Sequence, residues 1–252
     1  MNIQPAPANY HPAQDLLADK TILVTGAGDG IGRVAALTYA AHGATVILLG
    51  RTESKLEAVY DEIESAGHSK PALIELDLAT VSDDQCVHLA QSLSEEFGHI
   101  DGLLHNASVL GERRPIESSS YSVWQEVMQV NVNAAFVLTR HLLPLLQAAP
   151  SASIVFTSSG VGRTGRAFWG AYSVSKFATE GFMQVLSAEL ENTSEIRVNC
   201  INPGGTNTAM RRSAFPAENP KENPSPQDIM GVYLYLMGQD SIDATGVSFN
   251  AQ

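Results

Sequence analysis

The chain has 252 residues, 44% of them hydrophobic and 17% charged, so it can bury one substantial core. Its formal net charge of -12 argues against surfaces that bind nucleic acid or anionic membranes. Cys86 and Cys200 lie far apart, and the seven histidines show no metal-ligand spacing, so we expect no metal site, no disulfide framework and a reducing, cytoplasmic location.

The first 20 residues are rich in proline and alanine and lack the basic and apolar regions of a signal peptide. We interpret residues 1–20 as an arm that lies across the domain, or as a partly ordered tail. No apolar run reaches the roughly 18 residues that a membrane span needs, so we expect no span.

From residue 21 onward, short apolar segments alternate with segments of helical periodicity. The predicted strands are Thr21–Thr25, Thr45–Leu49, Ala72–Leu76, Gly102–His105, Ser153–Thr157, Arg197–Ile201 and Gly246–Phe249. The predicted helices are Ile31–His42, Ser54–Ala66, Asp83–Phe97, Ser122–Leu146, Phe168–Glu191 and Pro226–Met237. This alternation predicts an α/β fold: one domain over residues 21–252, with a Rossmann-like, doubly wound parallel sheet of about seven strands and helices on both faces. Residues 207–225 carry three prolines and two arginines, and we interpret them as a substrate-side loop.

The first predicted strand leads into a glycine-rich turn, TGAGDGIG, with Gly26, Gly28, Gly30 and Gly32. Glycines allow the backbone to approach a pyrophosphate, and the following helix presents free N–H groups to that anion. The alternative is a glycine-rich turn with no ligand. The strand before the turn and the helix after it favour dinucleotide binding.

The second predicted strand ends in Gly50 and Arg51, where NAD-binding sheets have an acidic residue. A glycine leaves room for the 2′-phosphate of NADP(H), and an arginine can bind it bidentately, with Thr52 adding a hydroxyl. Arg51 could instead be a solvated loop cation, and Glu53 could reach the ribose. The charge argument favours NADP(H) over NAD(H).

Five motifs in this order resemble the short-chain dehydrogenase/reductase family. They are TGAGDGIG, HNAS at His105–Ser108, the asparagine Asn131 in VNVN, Ser159 followed by Tyr172 and Lys176 in YxxxK, and PGG at Pro203–Gly205. The stretches GATVILLGR, VMQVNVNA, IVFTSS, WGAY, KFATEG and RVNCINPGGT are similar to a bacterial group within that family, the YciK-type oxidoreductases.

The resemblance implies an oxidoreductase that interconverts a carbonyl and a secondary alcohol by hydride transfer. Tyr172 would be the general acid or base, Lys176 would bind the nicotinamide ribose, and Ser159 would donate to the substrate oxygen. Asn131 would anchor a water that relays protons to the lysine. A nearby ammonium favours the phenolate form of a tyrosine, and residues four apart share one face of a helix.

Each of these residues has an alternative interpretation. A Tyr–Lys pair four residues apart is often an ordinary surface contact on a helix. Ser158 competes with Ser159 for the serine role, and Asn133 competes with Asn131.

The resemblance also implies a set of cofactor contacts. They are Gly26, Gly28, Asp29, Gly30, Ile31, Arg51, Thr52, Asp77, Leu78, Asn106, Ala107, Tyr172, Lys176, Pro203, Gly204 and Thr206. Asp77 could instead cap a strand end. The chain departs from the family in two places: Ser108 replaces a glycine near the cofactor, and the last strand lacks the frequent DGG ending.

The substrate side is less defined. Candidates for the pocket are Val109, Leu110, Val161, Arg163, Phe168, Trp169 and residues 207–215. Arg163, Arg166, Arg211 and Arg212 could bind an anionic substrate or could be solvated. Because the family pairs its long helices between subunits, we expect a homodimer or homotetramer. The alternatives to a carbonyl reductase are a non-catalytic dinucleotide-sensing module, a β-ketoacyl reductase-like enzyme, and a domain that binds no dinucleotide.

Overall fold

The computed structural model describes residues 2–8 and 10–252. Its single parallel sheet has the order β1-β8-β7-β6-β5-β2-β3-β4. The strands are β1 (Asn2–Pro5), β2 (Thr21–Thr25), β3 (Thr45–Gly50), β4 (Ala72–Glu75), β5 (Gly102–His105), β6 (Ala152–Thr157), β7 (Ile196–Asn202) and β8 (Val247–Asn250). The helices are α1 (Gly30–Ala41), α2 (Glu53–Ser65), α3 (Asp83–Phe97), α4 (Tyr121–Met128), α5 (Ala134–Gln147), α6 (Gly170–Leu190), α7 (Ala209–Ala214) and α8 (Met230–Met237). The predicted doubly wound parallel sheet is confirmed.

The structure has eight strands where the sequence predicts about seven. β1 lies within the predicted arm and pairs in parallel with β8, from Asn2 opposite Val247 to Pro5 opposite Asn250. All four residues of β1 are exposed, so no buried apolar pattern marks this strand in the sequence. Residues 1 and 9 of the arm lie outside the described residues.

Two apolar layers hold the helices against the sheet. One layer packs α1, α2 and α8 against side chains such as Val24, Val46 and Leu104. The other packs α3, α5 and α6 against the opposite face, through side chains such as Leu23 and Ile154. Alternate residues of the central strands thus enter opposite layers, which explains why these strands are apolar throughout.

The sheet reverses its winding between β2 and β5, which are hydrogen-bonded neighbours in register from Ile22 opposite Gly102 to Val24 opposite Leu104. From β2 the chain proceeds outward to β3 and β4, and then returns to β5 on the other side. Ligands of open α/β sheets bind at the carboxyl ends of strands beside such a reversal.

The predicted helix Ser122–Leu146 is interrupted. α4 is followed by a π-helical turn at Gln129–Asn133, and α5 begins at Ala134. A π turn inserts one residue into the helical repeat, and periodicity over a long apolar segment does not reveal it. The predicted loop at residues 207–225 is also partly helical, since it contains α7 and a 3₁₀ turn at Pro220–Glu222.

Within the described part of the chain, the helices are too short or too polar to cross a membrane. The same residues contain no cluster of three or more His, Cys, Asp and Glu side chains placed to bind a metal ion.

Candidate active site

A cleft of about 480 Å³ opens at the carboxyl edge of the sheet, beside the ends of β2 and β5. It is lined by segments that follow six strands, β2 to β7. All the residues predicted to bind the cofactor line this cleft except Lys176, and so does the predicted catalytic residue Ser159. Lys176 and Asn131 lie behind the cleft wall, around a small internal cavity of about 10 Å³. The fold therefore brings residues from distant parts of the sequence to one place.

The glycine loop is closely packed at two positions. Gly26 has φ +69°, and a Cβ there would lie 3.0 Å from Cα of Ala107. At Gly32 an added Cβ would lie 2.2 Å from the carbonyl oxygen of Gly26, a contact that real structures do not make. Asp29 caps α1 by accepting a 2.7 Å hydrogen bond from the Gly30 N–H. The loop thereby places the positive end of α1 at the cleft.

Lys55, in the first turn of α2, is a cleft residue that the sequence analysis missed. Its Nζ lies 2.6 Å from Oδ2 of Asp29, and both side chains are more than half exposed. The Lys55 hydrogen bond is the main reason that the pKa of Asp29 falls below its ordinary value. The available signal was a second basic residue shortly after Arg51.

Arg51 and Thr52 lie at the opposite end of the cleft from Tyr172, after β3, and Arg51 is exposed. Among the described residues, no carboxylate lies within 4.0 Å of the Arg51 side-chain nitrogens. Glu53 begins α2 and is absent from the described cleft lining. Asp77 lines the cleft and accepts a 3.0 Å hydrogen bond from the Ala79 N–H, so it also acts as a local cap.

Thr25 ties the glycine loop to the segment after β5. Its Oγ1 accepts hydrogen bonds from the backbone N–H groups of Asn106, at 3.0 Å, and Ala107, at 3.1 Å. The Asn106 amide also donates to the Thr25 carbonyl oxygen at 3.4 Å. Ser108, which replaces the family's glycine, lines the cleft beyond them.

Tyr172 and Lys176 lie one turn apart in α6, and both are buried. Lys176 Nζ lies 5.5 Å from the centroid of the Tyr172 ring and donates a 2.8 Å hydrogen bond to the Thr157 carbonyl oxygen. Because Tyr172 borders the cleft and Lys176 lies behind it, the pair is not the ordinary surface contact considered above.

Burial dominates the ionisation of this pair. Burial raises the pKa of Tyr172 to about 12, and hydrogen bonding by Ser159 opposes the shift. Burial also lowers the pKa of Lys176 to about 8, against the influence of Cys200 and Glu180. At neutral pH the phenol is thus protonated, and the lysine is mostly charged.

The geometry distinguishes the predicted residues from their rivals. Both serines line the cleft, but Ser158 is buried and donates a 2.7 Å hydrogen bond to the Glu180 carboxylate, whereas Ser159 is partly exposed and interacts with Tyr172. Asn133 is exposed and binds the side chain of Gln129.

Asn131 is buried in the π-helical turn and connects two parts of the site. Its Oδ1 accepts from the Val109 N–H at 2.8 Å, and its Nδ2 donates to the Val109 carbonyl oxygen at 3.0 Å. The same Nδ2 lies 3.0 Å from Oγ of Ser175, the residue before Lys176. Asn131 therefore fixes the segment after β5 to α6.

His105 occupies the first position of the HNAS motif and is part of the core. It lies 2.8 Å from Oγ1 of Thr139, and its ring stacks on Phe156 at 4.8 Å between centroids. Burial lowers its pKa to about 3, so the imidazole is neutral near pH 7.

The PGG segment after β7 borders the cleft beside Tyr172. Gly204 has φ +71°, and the Thr206 hydroxyl donates to the Pro203 carbonyl oxygen at 3.0 Å. Gln252 donates to that carbonyl at 2.6 Å. The C-terminal residue Gln252 thus holds the PGG segment in this chain, which lacks the DGG ending.

The far end of the cleft is apolar and aromatic. Trp169 lies 5.9 Å from Tyr172 and 5.7 Å from Phe215, between ring centroids. Arg113, which the sequence analysis did not identify, stacks on Trp169 at 4.5 Å and on Phe215 at 4.7 Å. Further lining comes from Val109, Leu110, Met210 and Ala214.

Several predicted pocket residues lie elsewhere. Val161 is buried and Phe168 is 54% exposed, and neither lines the cleft. Arg163 is largely buried and binds Glu180, so it holds the core together instead of facing a substrate. Arg211 lines the cleft, but Glu218 binds its guanidinium through two hydrogen bonds.

The remaining loop arginines lie outside the cleft lining. Arg212 donates to the Asn207 side chain at 2.9 Å, and Arg166 is exposed. Neither contributes to the described wall of the cleft.

A family model described as short chain dehydrogenase matches residues 20–219. The chain is 57% identical over 244 residues to the uncharacterized oxidoreductase YciK of Escherichia coli (strain K12), covering 97% of this chain and 96% of that relative. It is 32% identical over 203 residues to the NADPH-dependent pterin aldehyde reductase of Arabidopsis thaliana, covering 81% of each. A solved structure of a short chain dehydrogenase from Escherichia coli CFT073, complexed with NADPH, superposes with a TM-score of 0.93 at 57% identity and covers 96% of this chain and 100% of the other.

Proposed function

Since this chain belongs to the short-chain dehydrogenase family, we propose that it is an NADP(H)-dependent oxidoreductase that interconverts a carbonyl compound and a secondary alcohol. The observation that carries the proposal is the position of the buried Lys176 ammonium 5.5 Å from the ring of Tyr172, which borders the cleft. Burying a cation costs free energy unless it is paired. Buried ionisable groups with shifted pKa values are concentrated at functional sites, which favours a catalytic role for this pair.

The residues present fit a dinucleotide. Close packing of Gly26 against Ala107 and of Gly32 against the Gly26 carbonyl keeps the loop compact, and α1 presents its N-terminus to the cleft beside it. In this proposal the glycine loop holds the pyrophosphate. Asp77 and Leu78 hold the adenine, while Asn106, Ala107, Pro203, Gly204 and Thr206 surround the nicotinamide.

We assign the 2′-phosphate to Arg51 and Thr52. Arg51 is exposed at the cleft, has no carboxylate neighbour among the described residues, and can bind phosphate bidentately. The related Escherichia coli structure holds NADPH, which supports the same preference here. Lys55 lines the same cleft, and because its ion pair with Asp29 is more than half exposed, that pair is weak enough to be exchanged for an incoming phosphate.

The bound cofactor supplies or accepts the hydride at the substrate carbon. Tyr172 gives its phenolic proton to the carbonyl oxygen as negative charge develops there, and takes it back in the reverse reaction. Ser159 donates a hydrogen bond to the same oxygen. Lys176 stabilises the phenolate that remains, so it opposes the effect of burial on the phenol.

The lining near Tyr172 indicates the substrate's character. Trp169, Phe215, Leu110 and Val109 offer an apolar, partly aromatic surface, so we propose a carbonyl attached to an apolar or flat ring system. The Arabidopsis relative acts on a pterin aldehyde, a flat ring compound.

The test is NADPH oxidation, followed at 340 nm, against a panel of aryl ketones and cyclic ketones, whose reduction gives secondary alcohols, with NADH in parallel. We expect turnover of at least one ring carbonyl with NADPH and slower turnover with NADH. If NADPH raises the melting temperature but the whole panel fails, the non-catalytic dinucleotide-sensing alternative gains support.

We propose that the chain forms a homodimer or homotetramer through α4, α5 and α6. Phe136 on α5 and Phe177 and Val185 on α6 are 50%, 43% and 57% exposed, and exposed apolar side chains on packed helices are typical of surfaces that bind another subunit. Light scattering coupled to size-exclusion chromatography should give a multiple of 26.9 kDa. A monomer, unchanged on Phe177→Glu substitution, would contradict this assembly.

A further inference from the structure

Glu180, one turn after Lys176 in α6, has a fully buried carboxylate. Its Oε1 accepts hydrogen bonds from Ser158 Oγ at 2.7 Å, Ser248 Oγ at 2.9 Å and Arg163 Nε at 3.2 Å. An interior carboxylate is costly to desolvate, and a non-polar side chain could fill the same place. The presence of this charge therefore calls for a physical role.

Glu180 and Lys176 hold consecutive residues at the end of β6. Lys176 donates to the Thr157 carbonyl oxygen at 2.8 Å, and Glu180 accepts from the Ser158 hydroxyl at 2.7 Å. The next residue is Ser159, which faces the cleft. The position of Ser159 relative to Tyr172 thus depends on a two-point attachment of β6 to α6.

The second carboxylate oxygen of Glu180, Oε2, is buried and has no hydrogen-bond partner within the described part of the structure. Its negative charge is therefore not fully satisfied by hydrogen bonds. The cations close to it are Arg163 and Lys176, so a charge interaction with Lys176 is available.

The other ionisable groups around Lys176 are neutral or positive near pH 7. On α6, Tyr172 is protonated; on β7, burial raises the pKa of the Cys200 thiol well above its usual value. On β5, the His105 imidazole borders the same small cavity as Lys176, and burial keeps it neutral. Arg163, after β6, is a cation. Among these groups around Lys176, the Glu180 carboxylate supplies the negative charge.

We propose that Glu180 is a positioning residue that keeps Lys176 charged in the interior and, through Ser158, holds Ser159 at the cleft. This inference rests on the proposed function for its catalytic meaning. Its electrostatic part concerns the chain alone and can be tested without a substrate.

The experiment is an NMR titration of Lys176 in the full-length protein with 13Cε-labelled lysine. The chain has five lysines, so the spectrum is simple, and Lys176→Arg identifies the signal. Glu180→Gln removes the charge but keeps an acceptor oxygen. Ser248→Ala is the matched control, because it removes one hydrogen bond to the same Oε1 and leaves the charge.

We expect the pKa of Lys176 to fall by about one unit in Glu180→Gln and to stay within a few tenths of a unit in Ser248→Ala. An unchanged pKa in Glu180→Gln would overturn the proposal, since a purely structural role predicts lower stability with no shift. If Glu180→Gln does not fold, Arg163→Gln is the second variant, and it should shift the Lys176 pKa in the opposite direction. Removing Arg163, the cation that pairs with Glu180, should raise the Lys176 pKa, and no rise would overturn the proposal.

The catalytic part of the proposal is tested by the pH profile of kcat/KM for NADPH-dependent reduction of a ring carbonyl from the panel. In Glu180→Gln the decline of kcat/KM at high pH should begin about one unit lower than in the wild type, because Lys176 loses its proton earlier. If wild-type protein turns over none of the carbonyls while the NMR shift is present, the proposed function fails and the charge coupling stands. A shifted NMR pKa with an unshifted pH profile would overturn the catalytic role of Glu180.

Discussion

The two ends of the cleft, one assigned above by proposal to the dinucleotide and the other to the substrate, are built by different means. At the dinucleotide end, the walls are backbone: glycines that exclude a Cβ, the N-terminus of α1, and N–H groups held by Thr25. At the substrate end, the walls are side chains from three separate segments, joined by the stacking of Arg113 between Trp169 and Phe215.

This difference has a physical consequence. Backbone walls tolerate little change, because any added atom meets a rigid neighbour, whereas stacked side chains can be replaced or can rearrange. Tyr172 lies where the two ends meet. Substitutions should therefore separate into effects on chemistry, on cofactor and on substrate.

The largest effect is expected at the junction. Tyr172→Phe removes the proton donor and should lower kcat by about 10²- to 10⁴-fold, with the affinity for NADPH nearly unchanged. The measurements are NADPH oxidation and calorimetric binding. Tyr60→Phe, at a partly exposed residue of α2 that is absent from the described cleft lining, is the control. Near-wild-type turnover in Tyr172→Phe would remove this residue from the mechanism.

The next largest effect is expected on the packing of the glycine loop at the dinucleotide end. Gly32→Ala places a Cβ against the Gly26 carbonyl oxygen, so we expect a loss of roughly 1–3 kcal/mol in the free energy of unfolding and loss of NADPH binding. Urea denaturation and thermal shift with NADPH measure both. Gly181→Ala, in α6 with open space around the added Cβ, should be stabilising or neutral. Equal behaviour of the two variants contradicts the close packing.

A smaller effect is expected on the preference for NADPH over NADH. Arg51→Ala should weaken NADPH binding about tenfold or more and change NADH binding little, since a charged hydrogen bond to the 2′-phosphate is lost. Thermal shifts at equal NADPH and NADH concentrations test this, with the exposed Lys70→Ala as the control. Equal shifts for both cofactors in the wild type would mean that Arg51 is a bystander.

The smallest effect belongs to the substrate end. Phe215→Ala removes the ring that packs on Trp169, so KM for a ring carbonyl should rise about threefold to tenfold while NADPH affinity is unchanged. Phe168→Ala, exposed and outside the described cleft lining, is the comparison. A change in NADPH affinity in Phe215→Ala would show that the two ends are not separable.

The sequence predicted the parallel sheet and the family correctly, because those features depend on local patterns: apolar strands, a glycine turn and a Tyr–Lys spacing. The match to residues 20–219 confirms the family resemblance. β1 was missed because its four residues are exposed and it is held by backbone hydrogen bonds, which carry no side-chain signal.

The sequence could not predict the substrate end or the support behind Lys176. The role of Arg163 depends on Glu180 and Ser248, which lie 17 and 85 residues away along the chain and meet only in the folded state. The pairing of Lys55 with Asp29 likewise joins α2 to the start of α1, 26 residues away along the chain. The roles assigned to individual site residues stay predictions until the substitutions above are made.

The π-helical turn at Gln129–Asn133 changes the rotation of α5 about the helix axis relative to α4. Deleting one residue there would restore regular helical hydrogen bonding and rotate one helix against the other by about 100°. Asn131 would then face away from Val109 and Ser175. The number of residues in this turn, more than the identity of its apolar residues, thus sets the direction of the Asn131 side chain. An insertion or deletion here should therefore disrupt the site, whereas exchange of Val132 for another apolar residue should not.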